Sequence, residues 1–329
     1  MAPEYGPTVG PMKPRGLLIA NPQATSTSAA MRDVITRALG HEVDLEVVTT
    51  THRGHAEMLA SESNGLDLLI TLGGDGTINE AVNGMLNSGH TDLPMLAAIP
   101  GGSANVMARA LGFPNDAIEA TGMILESLRT DSSHDVGLGN ARFTPHETGE
   151  GRSHWFTINA GVGIDAEVIA SMEAQRAAGR AASPTRYVWT AAQEYVGGLG
   201  QRGSSPLSLE LPGQEPIEGL AMAIIQNTAP WTFFGPFAIN PCPRAAFDLG
   251  LDVFAPHSLG PLPAARFGLR MLRGSRAGEV PGQLTLLHDE AAFTIRSASP
   301  TALQVDGDLM GHIDRVDFRH TAHALRIVG

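Results

Sequence analysis

The run Gly73-Gly74-Asp75-Gly76-Thr77 follows the apolar stretch Leu68–Leu72 and opens onto Ile78-Asn79-Glu80-Ala81-Val82-Asn83-Gly84. A buried strand that ends in glycines and turns into a helix presents backbone N–H groups to an anion, and the missing side chains let a phosphate come close. The spacing is neither G-x-G-x-x-G nor G-x-x-x-x-G-K-[ST], so this is phosphate chemistry without the dinucleotide fingerprint or the Walker lysine. Asp75, set among the glycines, would repel phosphate unless it holds Mg²⁺, directly or through water. A second turn, Pro100-Gly101-Gly102-Ser103-Ala104-Asn105, follows the next apolar run, with Arg109 one helical turn further on as a candidate to neutralise phosphate charge. Ligands of open α/β sheets bind at the carboxyl ends of the strands, so two neighbouring glycine turns describe two walls of one pocket. Asn21-Pro22, with the amides and hydroxyls of Gln23 to Ser28, offers a third wall. Far along the chain, in Leu303-Gln304-Val305-Asp306-Gly307-Asp308, two carboxylates flank a glycine after a strand, where one can accept a proton from a hydroxyl. Asp-Gly-Asp is also the composition of an ordinary hairpin turn.

Loops of this kind need a rigid frame. From Arg15 onward, short apolar runs alternate with amphipathic ones: strands over Gly16–Ala20, Val43–Thr49, Asp67–Leu72 and Met95–Ile99, and helices over Ala29–Leu39, Gly54–Glu62, Ile78–Leu86 and Ala104–Leu111. That alternation predicts βαβ units and a largely parallel sheet. After about Asp135 the texture changes, with strand-like Leu207–Leu211, Leu220–Gln226, Leu284–Leu287 and Ala292–Arg296 and one helical interlude near Ala166–Val196. The expected architecture is α/β: an N-terminal doubly wound nucleotide-binding domain and a C-terminal β-rich, sandwich-like domain. The domains are placed at 15–135, completed by 313–329, and at 136–312, behind a proline-rich flexible tail at 1–14.

The chain has 329 residues, which suits two domains, and its 38 glycines and 22 prolines suit a turn-rich globular protein rather than a coiled coil. A net charge of −12 disfavours nucleic acid as a partner. The single cysteine, Cys242, excludes an intrachain disulfide and a Cys-rich zinc site and fits a reducing, cytoplasmic setting. The longest uncharged stretch, Gly219–Pro243, carries Pro230, Pro236, Pro241 and Pro243, which rule it out as a spanning helix. Trp231, Phe233, Phe234 and Phe237 concentrate aromatics in a chain with only 5% of them, either as core or as a lipid-facing wall. Arg266, Arg270, Arg273 and Arg276 recur at helical spacing, either as a solvated face or as a docking stripe for anionic lipid. The histidines, among them His312, His320 and His323, show no zinc spacing.

Taken in order, Asn21-Pro22, Thr50 with Gly54-His55-Ala56, the Gly73–Thr77 run, Pro100–Asn105, Asp135-Val136-Gly137, Asn159–Asp165 and Asp306-Gly307-Asp308 resemble the lipid kinases that include soluble bacterial diacylglycerol kinases, sphingosine kinases and the catalytic domains of eukaryotic diacylglycerol kinases. The actinobacterial branch looks closest. The resemblance implies transfer of the γ-phosphoryl group of ATP to the hydroxyl of diacylglycerol, giving phosphatidic acid. It implies that Asn21, Pro22, Gln23, Ala24, Thr25, Thr50, Gly73, Gly74, Asp75, Gly76, Thr77, Asn79, Glu80, Ser103 and Arg109 serve the ATP site. It further implies a network of Asp75 and Asp135 around a catalytic Mg²⁺, and Asp308 as proton acceptor with Asp306 assisting. The lipid substrate would be met at the inner face of the membrane by a peripheral protein, and a homodimer is compatible with the family.

The chain departs from the family pattern in four places. Ser103 stands where Thr is usual, Val106 where an Asp often follows the asparagine, and Asp308 where Glu is common. Phe247-Asp248-Leu249-Gly250-Leu251-Asp252-Val253 has one Asp fewer than the motif for a structural Mg²⁺ in some bacterial members, leaving Asp248 as the remaining ligand there. Other lipid-alcohol kinases, NAD kinases, which share the glycine turn and a β-rich second half, and a catalytically silent binding protein are the competing readings.

Overall fold

The computed structural model describes residues 12–24, 28–163, 206–234, 237–274 and 280–329. Thr25, Arg276, Asp165, the helical interlude at 166–196 and most of the N-terminal tail lie outside the described residues. The chain divides into two compact units. The first takes the described residues up to Ser103 together with Phe113–His134 and Arg326–Gly329, and the second takes Ala104–Gly112 and the described part of Asp135–Leu325.

In the first unit, strands β1 (Arg15–Ala20), β2 (Asp44–Thr49), β3 (Leu68–Gly73) and β4 (Met95–Pro100) alternate with helices α1 (Ala29–Leu39), α2 (His55–Ser61) and α3 (Asp75–Asn87). The strands pair in parallel in the order β2-β1-β3-β4, the arrangement expected from the alternation of apolar runs. β3 is buried along its whole length, as a near-continuous apolar run in a parallel sheet requires. Ser28 starts α1 by accepting from the Met31 N–H. α3 begins at Asp75, three residues before the apolar periodicity of Ile78–Leu86, because the glycine turn itself supplies the first helical residues. α2 and α3 touch closely at Gly84, where an added Cβ would run into the Glu57 carbonyl oxygen. A further helix, α5 (Ala117–Thr130), is capped by Asp116, whose Oδ1 accepts from the N–H groups of Ile118 and Glu119. Sequence periodicity had not singled it out.

The second unit carries a short helix α4 (Val106–Ala110), entered through Asn105 at φ 49. Its remaining elements are mostly antiparallel strands: β5 (Ser133–Phe143), β6 (Arg152–Phe156), β7 (Asn159–Val162), β8 (Leu207–Glu210), β9 (Ile217–Leu220), β10 (Ala223–Gln226), β11 (Thr232–Phe234), β12 (Phe237–Ile239), β13 (Leu251–Pro256), β14 (Leu284–Glu290), β15 (Ala292–Val305) and β16 (Asp308–Val328). β5 begins and β16 ends in the first unit, where Ile327 of β16 pairs with Leu96. The order β14-β13-β10-β7-β15-β16 runs through antiparallel pairs. Phe156, Phe293 and Phe318 pack with aliphatic side chains from β7, β8, β10, β13 and β15 in its core. The apolar run Leu220–Gln226 is two strands rather than one, since β9 ends at Leu220 and β10 starts at Ala223. β15 extends well past Arg296 because register shifts between Arg296 and Thr301 and between Leu303 and Gln304 let the ladder with β16 continue through the polar Ser297–Pro300 segment.

Candidate functional site

In the first unit the two glycine turns lie side by side. Gly101 N–H donates to the Gly73 carbonyl at 2.7 Å, and a Cβ on Gly101 would stand 3.1 Å from both the Cα and N of Gly73. A Cβ on Gly74 would stand 3.3 Å from the Cα of Gly102. Glycine is required here by the close approach of two backbones. Gly74 is extended (φ −91, ψ −177) and makes no side-chain cap to α3, so no side chain of the N-cap covers the amides of the first helical turn. Asp75, half-buried, is the first residue of that helix, and Gly76 beside it is open, with nothing within 4 Å of an added Cβ.

The Asn21 turn joins the same cluster. Asn21 N–H donates to the Leu72 carbonyl at 2.9 Å, its Nδ2 donates to Thr77 Oγ1 at 3.1 Å, and its Oδ1 accepts from the Gln23 N–H at 2.9 Å. The side chain thus ties the end of β1 to the start of α3 and closes an Asx turn over Pro22. Ala24 lies against the second glycine turn, its Cβ 3.2 Å from where a Cβ on Gly101 would be. Thr50 leaves β2 with its N–H on the Ala20 carbonyl, and Ser103 is exposed at the end of the second turn. Two expected site residues face elsewhere. Asn79 is buried and its Oδ1 accepts from Asn83 Nδ2, while Glu80 Oε2 accepts from the Ala56 N–H at the start of α2.

In the second unit, Asp306 and Gly307 form the two-residue turn between β15 and β16, with φ 45 and φ 86 and with Val305 paired to Asp308. Positive φ at both positions is the hairpin geometry that Asp-Gly favours. The Asp306 carboxylate is not solvated. Its Oδ2 accepts from Thr157 N–H and Oγ1 at 2.7 and 2.8 Å, and its Oδ1 accepts from the N–H groups of Ile158 and Asn159, both at 2.9 Å. Burial pushes this carboxyl above its ordinary value, and the donors pull it back down. Gln304 completes the clasp: its Oε1 accepts from the Gly307 N–H and its Nε2 donates to Asn159 Oδ1, both at 2.9 Å. Asp308 is thereby carried on a turn fixed at both residues before it. Burial lowers the His154 imidazole below its ordinary value while the charges of Asp306 and Asp308 raise it, which puts His154, on β6, within electrostatic reach of both acids.

Sequence reasoning did not find His154 or the Thr157–Asn159 amide clasp. A backbone clasp leaves no residue-type signal, and the one available hint was that Thr157 and Ile158 directly precede the Asn159 motif. Arg109 is held by a ring: its guanidinium carbon lies 3.2 Å from the centroid of Phe233. Asp135 is exposed, with Oδ2 3.3 Å from His323 Nδ1, and belongs to a different unit from Asp75. Near Asp248 the buried acid is instead Asp252, whose Oδ1 lies 2.7 Å from His288 Nδ1. Among the described residues, no three His, Cys, Asp or Glu side chains gather as a metal set.

A polar loop is latched beside this hairpin. Glu147 accepts from the N–H and Nδ1 of His312, at 3.1 and 2.6 Å, and His146 N–H donates to the His312 carbonyl. The His312 hydrogen bond, with backbone donors, holds the Glu147 carboxyl down at about 2. The stabilisation from this latch is therefore present above the ordinary value of 4.5 and lost as pH falls through about 2. An NMR titration should find Glu147 still ionised at pH 3, and in His312→Ala its midpoint should move back up toward 4.5. A wild-type midpoint near 4.5 would show that the latch does not form in solution.

Residues 15–140 match the family model described as the diacylglycerol kinase catalytic domain. Over that span the chain is similar to the diacylglycerol kinase catalytic domain. The diacylglycerol kinase of Staphylococcus saprophyticus is 32% identical over 136 residues, 40% of this chain and 43% of that protein. The probable lipid kinase YegS-like of Stenotrophomonas maltophilia is 35% identical over 34% of this chain and 37% of its own length. These matches thus span less than half of the curated relatives' own length. The crystal structure of a diacylglycerol kinase from Bacillus anthracis is similar over 95% of this chain and 96% of that one, with a TM-score of 0.68 and 19% identity, which shows the fold. Yeast NADH kinase, solved with NADH, is similar over 96% of this chain and 83% of its own, with a TM-score of 0.55 at 14% identity. The diacylglycerol kinase fold, a parallel α/β part and an antiparallel β-rich part, is the one expected from the sequence.

Proposed function

We propose that the chain is an ATP-dependent lipid kinase that transfers the γ-phosphoryl group to the hydroxyl of diacylglycerol. One observation carries the reading most: two glycine turns in backbone contact, opening on an α3 N-terminus whose N-cap supplies no side chain. That arrangement suits an anion, and it lies within the family-matched segment. In this reading the amides of Gly74 to Gly76 hold the phosphates, with the backbone of Gly102 close beside Gly74, and the Asn21 turn and Thr50 flank the nucleotide. Asp308 accepts the proton of the attacking hydroxyl. Asp306, with all its acceptor capacity directed at Thr157–Asn159, is a positioning residue for Asp308 rather than a second base. Arg109, stacked on Phe233, is a planar cation of the type that suits phosphate oxygens.

Mg²⁺ fits the donor set at the cradle, because this ion binds through one or two carboxylates, waters and substrate phosphates rather than an all-protein cage. Asp75 would hold it there, and when bound it would neutralise charge on the transferred group. Phosphoryl transfer asks the protein mainly for positioning and charge stabilisation, which is what rigid turns on a buried sheet provide. Incubating the purified chain with γ-labelled ATP, Mg²⁺ and diacylglycerol in mixed micelles should give labelled phosphatidic acid. A folded protein that labels no lipid alcohol would overturn the proposal.

The fold likeness to yeast NADH kinase favours one other reading, phosphorylation of a nicotinamide dinucleotide. Both hypotheses use the glycine cradle and differ in the acceptor.

A further inference from the structure

We infer that the outer face of the helix Pro261–Arg273, here α6, together with Phe237 on the neighbouring hairpin, is the surface by which this protein docks on an anionic lipid bilayer. The inference rests on the proposed lipid-kinase activity for its purpose, though not for its geometry. α6 is seated by one face: Phe267 is buried edge-on against Phe254, and Met271 packs beside it. β12 lies alongside, with the Asn240 N–H donating to the Met271 carbonyl at 2.9 Å. On the opposite face Leu269 and Leu272 are 47% and 55% exposed, and Phe237 is 63% exposed. These are three of the largest apolar exposures among the described residues, and they sit on α6 and on β12, the strand in contact with it.

Charge selects the occupant. The segment Pro261–Arg273 contains three arginines and no acid, within a chain of net charge −12. Arg266 and Arg273 are exposed on the flank of the two leucines, and among the described residues neither has an ion-pair partner. Arg270, expected in the same stripe, turns inward and is only partly exposed; burial lowers its guanidinium below the ordinary value. The docking face is therefore leucines and phenylalanine edged by two arginines, not a four-arginine stripe. Apolar side chains that enter the acyl boundary beside cations that meet lipid phosphates are the chemistry of an interfacial helix. An acidic protein partner would satisfy the arginines but leave the apolar residues without a hydrocarbon phase.

The test is co-sedimentation of the full chain with vesicles of phosphatidylcholine alone and of phosphatidylcholine with phosphatidylglycerol. Wild type should partition onto the anionic vesicles, less so at high salt. Arg266→Gln with Arg273→Gln should lower that partitioning about tenfold or more and leave the neutral vesicles unaffected. Leu269→Ser with Leu272→Ser should lower it on both kinds of vesicle, and Phe237→Ser, on a separate element, should act in the same direction if the helix variant folds poorly. Activity on a short-chain substrate in detergent micelles should be unchanged in every variant. Vesicle binding equal to wild type in the arginine and leucine variants would overturn the inference while leaving the kinase reading intact. Loss of vesicle binding in a protein that phosphorylates no lipid would uphold the surface and overturn the kinase reading. A dimer that Leu269→Ser with Leu272→Ser converts to monomer, with vesicle binding retained, would assign the face to a second copy and overturn the inference.

Discussion

Asp308→Asn is expected to lower kcat by about 10²–10⁴-fold with little change in melting temperature. Asparagine matches the size of the residue it replaces and can keep the backbone pair with Val305 across the turn, so the hairpin should form as before. What it cannot do is take a proton from an alcohol, and general-base assistance of this kind carries that range of rate. The KM for ATP should stay close to wild type, because Asp308 belongs to the second unit and the glycine cradle to the first. Steady-state kinetics beside a thermal melt decide the matter. A folded Asp308→Asn protein with full turnover would remove the base assignment.

The neighbouring acid should behave in the opposite way. Asp306→Ala leaves the N–H groups of Thr157, Ile158 and Asn159 and the Thr157 hydroxyl without their acceptor. Buried donors stripped of a charged partner cost about 3–5 kcal/mol, so urea denaturation should show a loss of that order. Asp306→Asn keeps one acceptor oxygen and turns an amide toward the other donors, so it should be destabilised nearly as much. Turnover should fall with the hairpin, since the turn aims Asp308. An Asp306→Ala protein as stable as wild type but inactive would contradict the positioning role and make Asp306 a participant in the chemistry.

Much of the first unit was legible because its signals are local. A buried strand entering a glycine turn and then a helix is set by residue type within a dozen positions, and α1 and the four parallel strands followed from apolar runs bounded by turns. The second unit is built from long antiparallel pairings, whose partners lie far apart in sequence. β16 was missed because its alternation is broken by charged residues that face outward on a half-exposed strand. The Asp306–Gly307 turn was read correctly as a hairpin composition, yet the burial of Asp306 depends on Thr157 and Asn159, some 150 residues away, which no local pattern encodes. Arg109 and Glu80 show the same limit. Their spacing from the glycine turns is a local signal, whereas the ring of Phe233 and the amide of Ala56 that engage them come from segments the spacing does not encode.

Acceptor choice tests the account most directly. With γ-labelled ATP and Mg²⁺ supplied equally to diacylglycerol, sphingosine and NAD, label should enter phosphatidic acid with a kcat/KM at least about tenfold above either other acceptor. Label appearing in the dinucleotide, with none in lipid, would contradict it.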